Sequence, residues 1–400
     1  MTTGSLSPVV TLPTRRDEAW RYAPHRTLAE LSFGPSSGAV ASVPTDVVDG
    51  APESDGLLVV VINGIVDLGR SRLERSAETT VGSRAESFGS GSAPTWPDVD
   101  TGSSSDAYVS LNVAYGVDGA VIDIGPGAHV VVPIHVVDIT TPASPGSMSC
   151  TSTHIHLGAG STATVIETRL GKGTSTGGSN VRTTVSLDDG AELEHIVLQD
   201  LPTSQVHLGR VEVHQAANTT FRSRSFNLGA SYGRLEYHVT LSGPAAHADL
   251  AGLFIGTGNQ VLDQQINVVH AAENCTSRQT FRGVLDDDST GVFNGGIDVR
   301  RGADGTDASQ SNDNLLLSTR AEINTQPRLE ILADEVSCTH GATVGRLDDT
   351  ALYYLRSRGI AAEEARRLLI RGFADHVADQ VGPEHVRAWI SNRRGHTDDE

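Results

Sequence analysis

Apolar positions are spread unevenly along this chain. Near the N-terminus, Leu57–Ile62 and Ile65–Asp67 flank Asn63-Gly64, the pair preferred in a tight type I′ turn, which predicts a β-hairpin. From Ala120 onward, short β-branched segments follow one another for about two hundred residues. Ala120–Ile124, Thr162–Leu170, Leu193–Leu198, Tyr237–Leu241 and Gln265–His270 are examples. Small-residue corners separate them, at Pro126-Gly127-Ala128, Ala159-Gly160-Ser161, Asp189-Gly190-Ala191, Ala216-Ala217-Asn218, Pro244-Ala245-Ala246 and Ala272-Glu273-Asn274. Consecutive corners lie 27 to 33 positions apart. A period in that range, with strand texture and no helical pattern between corners, predicts a parallel β-helix. A β-sandwich is the competing architecture, although its corners would be less regular. After Gly345 the pattern turns helical. Asp348 or Asp349 can cap a helix that stops at Gly359. A second helix, Ala362 to Val377, carries Ala365, Leu369, Phe373 and Val377 at i, i+4 spacing. Pro383 opens a third with Val386, Trp389 and Ile390, and the last six residues read as a disordered tail.

These textures divide the chain into a mixed helical N-terminal region with a linker (1–105), a β-helix core (106–336) and a C-terminal helical domain (337–400). The first region is a mostly polar arm, with a short helix opening at Arg15–Tyr22. Residues 70–105 are rich in Ser, Gly and charge and read as a loop with at most one weak helix.

The formal net charge of -19 argues against nucleic acid or an anionic membrane as partner. The chain shows neither a secretory leader nor an apolar run of the ~20 residues needed to span a bilayer. Three cysteines, Cys150, Cys275 and Cys338, are too few and too scattered for a disulfide framework. Together these features predict a cytoplasmic location.

Most motif-like stretches carry no chemistry. Gly158-Ala159-Gly160-Ser161-Thr162-Ala163 spells a dinucleotide fingerprint, but a strand pattern follows where a helix is needed. Gly171-Lys172-Gly173 lacks the upstream Gly and the Ser or Thr of a phosphate loop. His154 and His156 share a strand face and read as surface polar positions or as partners of neighbouring coils. Cys275 reads as a packing residue beside a corner.

The exception is Cys338-Thr339-His340-Gly341. In an extended backbone Cys338 and His340 point to the same side, with Cα atoms roughly 6.5–7 Å apart. A thiol and an imidazole so placed suit one metal or cluster. The structural alternative makes Cys338 a small buried hydrophobe and His340 a cap for the following helix.

Several stretches together resemble the SufB/SufD family of SUF iron–sulfur cluster assembly proteins. They are His270 with Asn274–Gln279 and Arg282–Leu285; Val292–Gly295; Thr306–Ala308 with Gln310, Asn312 and Asn314–Ser318; Pro327 with Leu329–Ile331 and Ala333-Asp334; and Cys338–Gly345 with Leu347-Asp348. Tyr354–Ile360, Glu18–Tyr22 and Leu111–Tyr115 with Asp118-Gly119 extend the likeness over nearly the whole chain. SufB-like chains are usually longer and carry an N-terminal cysteine cluster that is absent here, so the likeness is to the SufD side. Ala303-Asp304-Gly305 stands where the family commonly has a Gln-Lys pair, so no role of that lysine transfers. Thr339 replaces the commoner Ser.

The resemblance implies a right-handed parallel β-helix flanked by helical regions, acting as a non-enzymatic scaffold. It implies a SufB-like paralogue beside the β-helix and a SufC-like ATPase on the C-terminal helices. A transient iron–sulfur cluster would be shared with the paralogue, with His340 and then Cys338 as this chain's ligands. The residues leave open whether a flavin binds the assembled complex. The rival class is a carbohydrate-active β-helix enzyme of the polysaccharide lyase kind, which the low aromatic content of 4% disfavours.

Overall fold

A computed structural model describes residues 10–34, 45–76, 78–88 and 107–395. Sixteen strands from Ala120 to Gly345 alternate between two sheets. Every pairing between neighbouring rungs of this series is parallel. In one sheet successive strands begin at Ser147, Gly177, Val206, Tyr232, Val261, Thr290 and Glu322. The other sheet carries the intervening strands, ending with Thr306–Leu316 and Val336–Gly345. The chain is therefore a parallel β-solenoid with two ten-residue strands per coil, as the corner period predicts.

The corners explain the period. Gly127, Gly160, Gly190, Asn218, Ala245, Asn274 and Gly305 each adopt positive φ, between 57° and 74°. That conformation closes a tight turn and suits Gly and Asn. The corners also stack through backbone hydrogen bonds. Gly160 N–H donates to Asp189 O at 2.9 Å, Gly190 to Ala217 at 2.9 Å, and Asn218 to Pro244 at 2.9 Å.

Alternation then sorts the side chains. Inward positions such as Val165, Leu193, Phe221, Leu250, Val185, Val211, Leu235 and Tyr237 fill the space between the sheets. The outer face of one sheet is apolar as well. Ile166, Ile196, Leu198, Phe226, Leu253 and Val284 lie under the C-terminal helices Ala362–Ala378 and Glu384–Gly395.

Sequence pattern was less informative at the N-terminus. The hairpin forms as expected, with Leu58–Ile62 antiparallel to Ile65–Val66 and both Asn63 and Gly64 at positive φ. The expected helix at 15–22 is a single 3-10 turn, Glu18–Trp20, followed by a short helix, His25–Ala29. Within the stretch read as linker, Glu74–Arg75 and Thr79–Ser83 form strands, with Arg84–Phe88 helical. Residues 89–106 lie outside the described residues, as does the tail 396–400. Thr79–Ser83 pairs antiparallel with Ala120–Ile124, and Leu58–Ile62 extends the second sheet beside Ile134–Thr140. These additions cover the first rungs. At the opposite end, Glu322–Ile331 and Val336–Gly345 are the last strands of their sheets, each paired on one edge only. The solenoid has one covered end and one open end.

Candidate functional site

The open end contains the Cys-Thr-His stretch. Val336–Gly345 is a strand, so Cys338 and His340 lie on one face, as alternation requires. Register places Cys338 beside Ala308 and His340 beside Gln310. The shared face is the one that looks into the solenoid, because Val336 and Cys338 pack against Ile297, Val299, Ala303 and Ala308. Cys338 is half-buried, and burial pushes its thiol above the ordinary range. The resting group is thus the protonated thiol, and metal binding would have to displace that proton. His340 is exposed and forms no hydrogen bond among the described residues. It does not cap a helix. The next helix, Asp349–Ser357, is capped by Asp348, which accepts from Thr350 N–H at 2.8 Å.

The other cysteines are not brought to this site. Cys275 is fully buried in the core, its thiol donating to Gly243 O at 3.3 Å, and a full coil separates it from Cys338. Cys150 is fully buried between the sheet and the helix Ala107–Tyr115. Burial pushes its thiol up to about 12. Among the described residues, no group of three or more His, Cys, Asp or Glu could hold a metal ion. Two donors at an open edge therefore need further ligands from outside the chain to complete a four-ligand site.

Most of the other distinctive polar residues hold the fold together. His154 bonds Thr184 on the next coil at 2.6 Å, and His156 spans Asp123 and Asp188 at 2.7 and 3.3 Å. Trp20 stacks on the Arg234 guanidinium at 3.7 Å, while Arg234 donates to Ala19 O at 2.7 Å and pairs with Asp263 at 2.6 Å. This clamps the N-terminal arm onto the outer face of a sheet. Asn112 donates to Thr151 O and Asn180 O at 3.0 and 2.8 Å, bridging two coils. Inside the solenoid Glu167 meets Arg169, Thr183 and His195. Burial alone would raise Glu167, but the Arg169 charge and these neighbours outweigh it and hold the carboxyl near 2. The sequence pattern suggests coil partners only for His154 and His156, because most of the other partners lie on different coils or in the arm; Glu167 and Arg169 share a strand.

The stripe Ala365, Leu369, Phe373 and Val377 does not present one free face. Ala365 and Val377 are fully buried, and Phe373 packs with Val377 onto the solenoid. The exposed apolar side chains of this region are Tyr353, Tyr354 and Leu368, the first 74% accessible. They belong to a helix that buries none of its residues and to the outer side of its neighbour.

Fold and site together define a class: a parallel β-solenoid, covered at one end, whose open rung carries a thiol and an imidazole on one face. Comparison with known proteins gives the family. Residues 139–373 match the model of the SufBD core domain of SUF-system iron–sulfur cluster assembly, and the chain belongs to that family. It is 29% identical to the iron–sulfur cluster assembly protein SufD of Escherichia coli over 386 residues, 96% of this chain and 89% of that one. It is also 29% identical over 384 residues to a SufBD-family protein of Mycobacterium leprae, covering 94% and 88%. A SufBD-family protein of Synechocystis is 34% identical over 203 residues, 51% of this chain and 45% of its own. This membership does not favour the carbohydrate-active alternative. No helix among the described residues is long and apolar enough to cross a membrane.

Proposed function

We propose that this chain is a scaffold subunit on which iron–sulfur clusters are assembled, with a SufB-like paralogue seated against the open end of the solenoid. The observation that carries this reading is the last rung. Among the described residues no strand pairs with its outer edge, a configuration that recruits a further strand or must be covered. The same rung bears Cys338 and His340 on one face. A partner of like architecture would continue the sheets and supply the missing ligands. The nascent cluster is the cargo. His340 is its first ligand from this chain, because the side chain is exposed and its ring is unengaged among the described residues. Cys338 is second, since its half-buried thiol must first lose a proton. Ligation shared across a subunit boundary suits release, because movement of either subunit opens the site.

ATP-driven movement has to come from another subunit. A SufC-like ATPase docks on the exposed helix Asp349–Ser357 through Tyr353 and Tyr354, beside the helices already seated on the solenoid. The test of the cluster site uses the complex purified anaerobically with its partners. His340→Ala and Cys338→Ser leave assembly intact, checked by co-purification, since the partner pairs with the backbone of the rung. After maturation, iron and acid-labile sulfide fall severalfold in the His340 variant and less in the Cys338 variant. Full cluster content in His340→Ala removes the ligand role.

A further inference from the structure

Behind His340 the solenoid holds two buried amides where an apolar pair would pack more simply. The register aligns Gln279, Gln310 and His340 on three successive strands of one sheet, all facing inward. Gln279 and Gln310 are 1% and 4% exposed. Burying an amide is costly unless its polar atoms are satisfied. Here they are satisfied in one direction. Gln279 Nε2 donates to Gly296 O at 3.4 Å, and Gln310 Nε2 donates to Gln279 Oε1 at 2.7 Å. The series stops at Gln310 Oε1, which is buried and has no partner among the described residues. The facing strand makes room for this amide, because a Cβ on Gly295 would lie 2.2 Å from Gln310 Nε2. With its Nε2 committed to Gln279, Gln310 keeps a free carbonyl acceptor at the position that the register sets next to His340, with no bond between the two in this structure.

Building on the ligand role assigned to His340 above, we propose that Gln310 is its positioning residue: a rotation of the exposed His340 side chain brings one imidazole N–H, unbonded in this structure, to the Gln310 side-chain carbonyl, which accepts it and fixes which ring nitrogen presents its lone pair to the cluster. An imidazole that donates through one nitrogen is held in a single neutral tautomer, with the other nitrogen available to metal. Metal-bound histidines generally have such an outer partner, and its loss typically lowers metal affinity 10–100-fold. The proton on the acceptor side stays on His340 throughout, so ligation through the other nitrogen releases none.

The test has two independent readouts. In the full chain without metal, labelled with ¹⁵N-histidine, long-range ¹H–¹⁵N spectra at pH 8 report the His340 tautomer, with His340→Gln identifying its signals. The expected result is one tautomer in the native chain, a mixture close to that of free imidazole in Gln310→Leu, and one tautomer retained in Gln310→Glu. In the anaerobically matured complex, Gln310→Leu loses bound iron about tenfold more readily to a chelator, and Gln310→Glu restores retention. A free-imidazole mixture in the native chain, unchanged by Gln310→Leu, overturns the proposal. A tautomer change in Gln310→Leu with full cluster retention in both that variant and His340→Ala overturns the ligand reading instead and leaves the hydrogen bond standing.

Discussion

At the residue scale, the solenoid's corners and its buried charges give the sharpest expectations. Gly160 and Ala245 occupy equivalent corners at φ 67° and 57°. A Cβ at Gly160 meets nothing within 4 Å, so Gly160→Ala introduces backbone strain alone and lowers stability by about 1–2 kcal/mol. Ala245 already carries that strain. Ala245→Gly relieves it while losing about 0.5–1 kcal/mol to unfolded-state entropy, and the net change is small and favourable. Urea midpoints of the two variants should therefore move in opposite directions. Asp138 tests the interior. Neither of its carboxyl oxygens has a partner in hydrogen-bond geometry among the described residues, and burial pushes it up to about 6, the nearby Thr151 hydroxyl and the Arg169 charge offsetting only part of that. An acid raised on folding binds its proton more tightly in the native state. Its contribution is therefore lost as pH rises from about 4 to about 6. Asp138→Asn should be more stable than the native chain by about 3 kcal/mol above pH 7, a margin that vanishes below pH 4. An equal margin at both pH values would mean that the carboxyl is not strained by burial.

At the element scale, the C-terminal helices have divided roles. Helices Ala362–Ala378 and Glu384–Gly395 cover Ile166, Ile196, Phe226 and Leu253. Truncating the chain after the solenoid would uncover a large apolar surface, so the loss of ATPase binding that follows would report aggregation as readily as docking. Helix Asp349–Ser357 buries nothing and can be altered cleanly. Tyr353→Ser with Tyr354→Ser should leave stability within about 0.5 kcal/mol and weaken ATPase capture tenfold or more. Capture at native strength would move the docking face elsewhere.

At the scale of the whole molecule, four imidazoles set the acid limit. Burial lowers His135 to about 3 and His154 and His270 to about 4, and it holds His207 well below its ordinary value. Each stays neutral when folded and takes a proton when unfolded. The stability these histidines contribute is therefore fully present above pH 6.5 and falls as pH drops toward 4, with Glu167 adding to the loss only below about 4.5. Asp138 and Asp298 oppose this trend, but they are two groups against these four histidines and against His214 and His247, which burial also lowers. Denaturant titrations at pH 7.5, 6 and 5 should show a progressive fall. A flat profile would mean that the histidines remain hydrated in the folded chain.

The sequence by itself determined whatever depends on spacing along the chain. The coil period, the hairpin at Asn63-Gly64, the three C-terminal helices and the shared face of Cys338 and His340 follow from alternation, turn chemistry and capping, all of which act between near neighbours. The tertiary structure alone decided which residues a coil brings together. Gln310 became adjacent to His340, thirty residues on, only once the register was set, because one slipped residue would turn every side chain to the opposite face. The N-terminal strands were hidden for a related reason. Thr79–Ser83 is short and polar, and it is a strand because an existing sheet offers it an edge. The stripe on helix Ala362–Ala378 had a legible period, but whether it met a partner or its own solenoid depended on an apolar sheet face assembled from strands between residues 166 and 284.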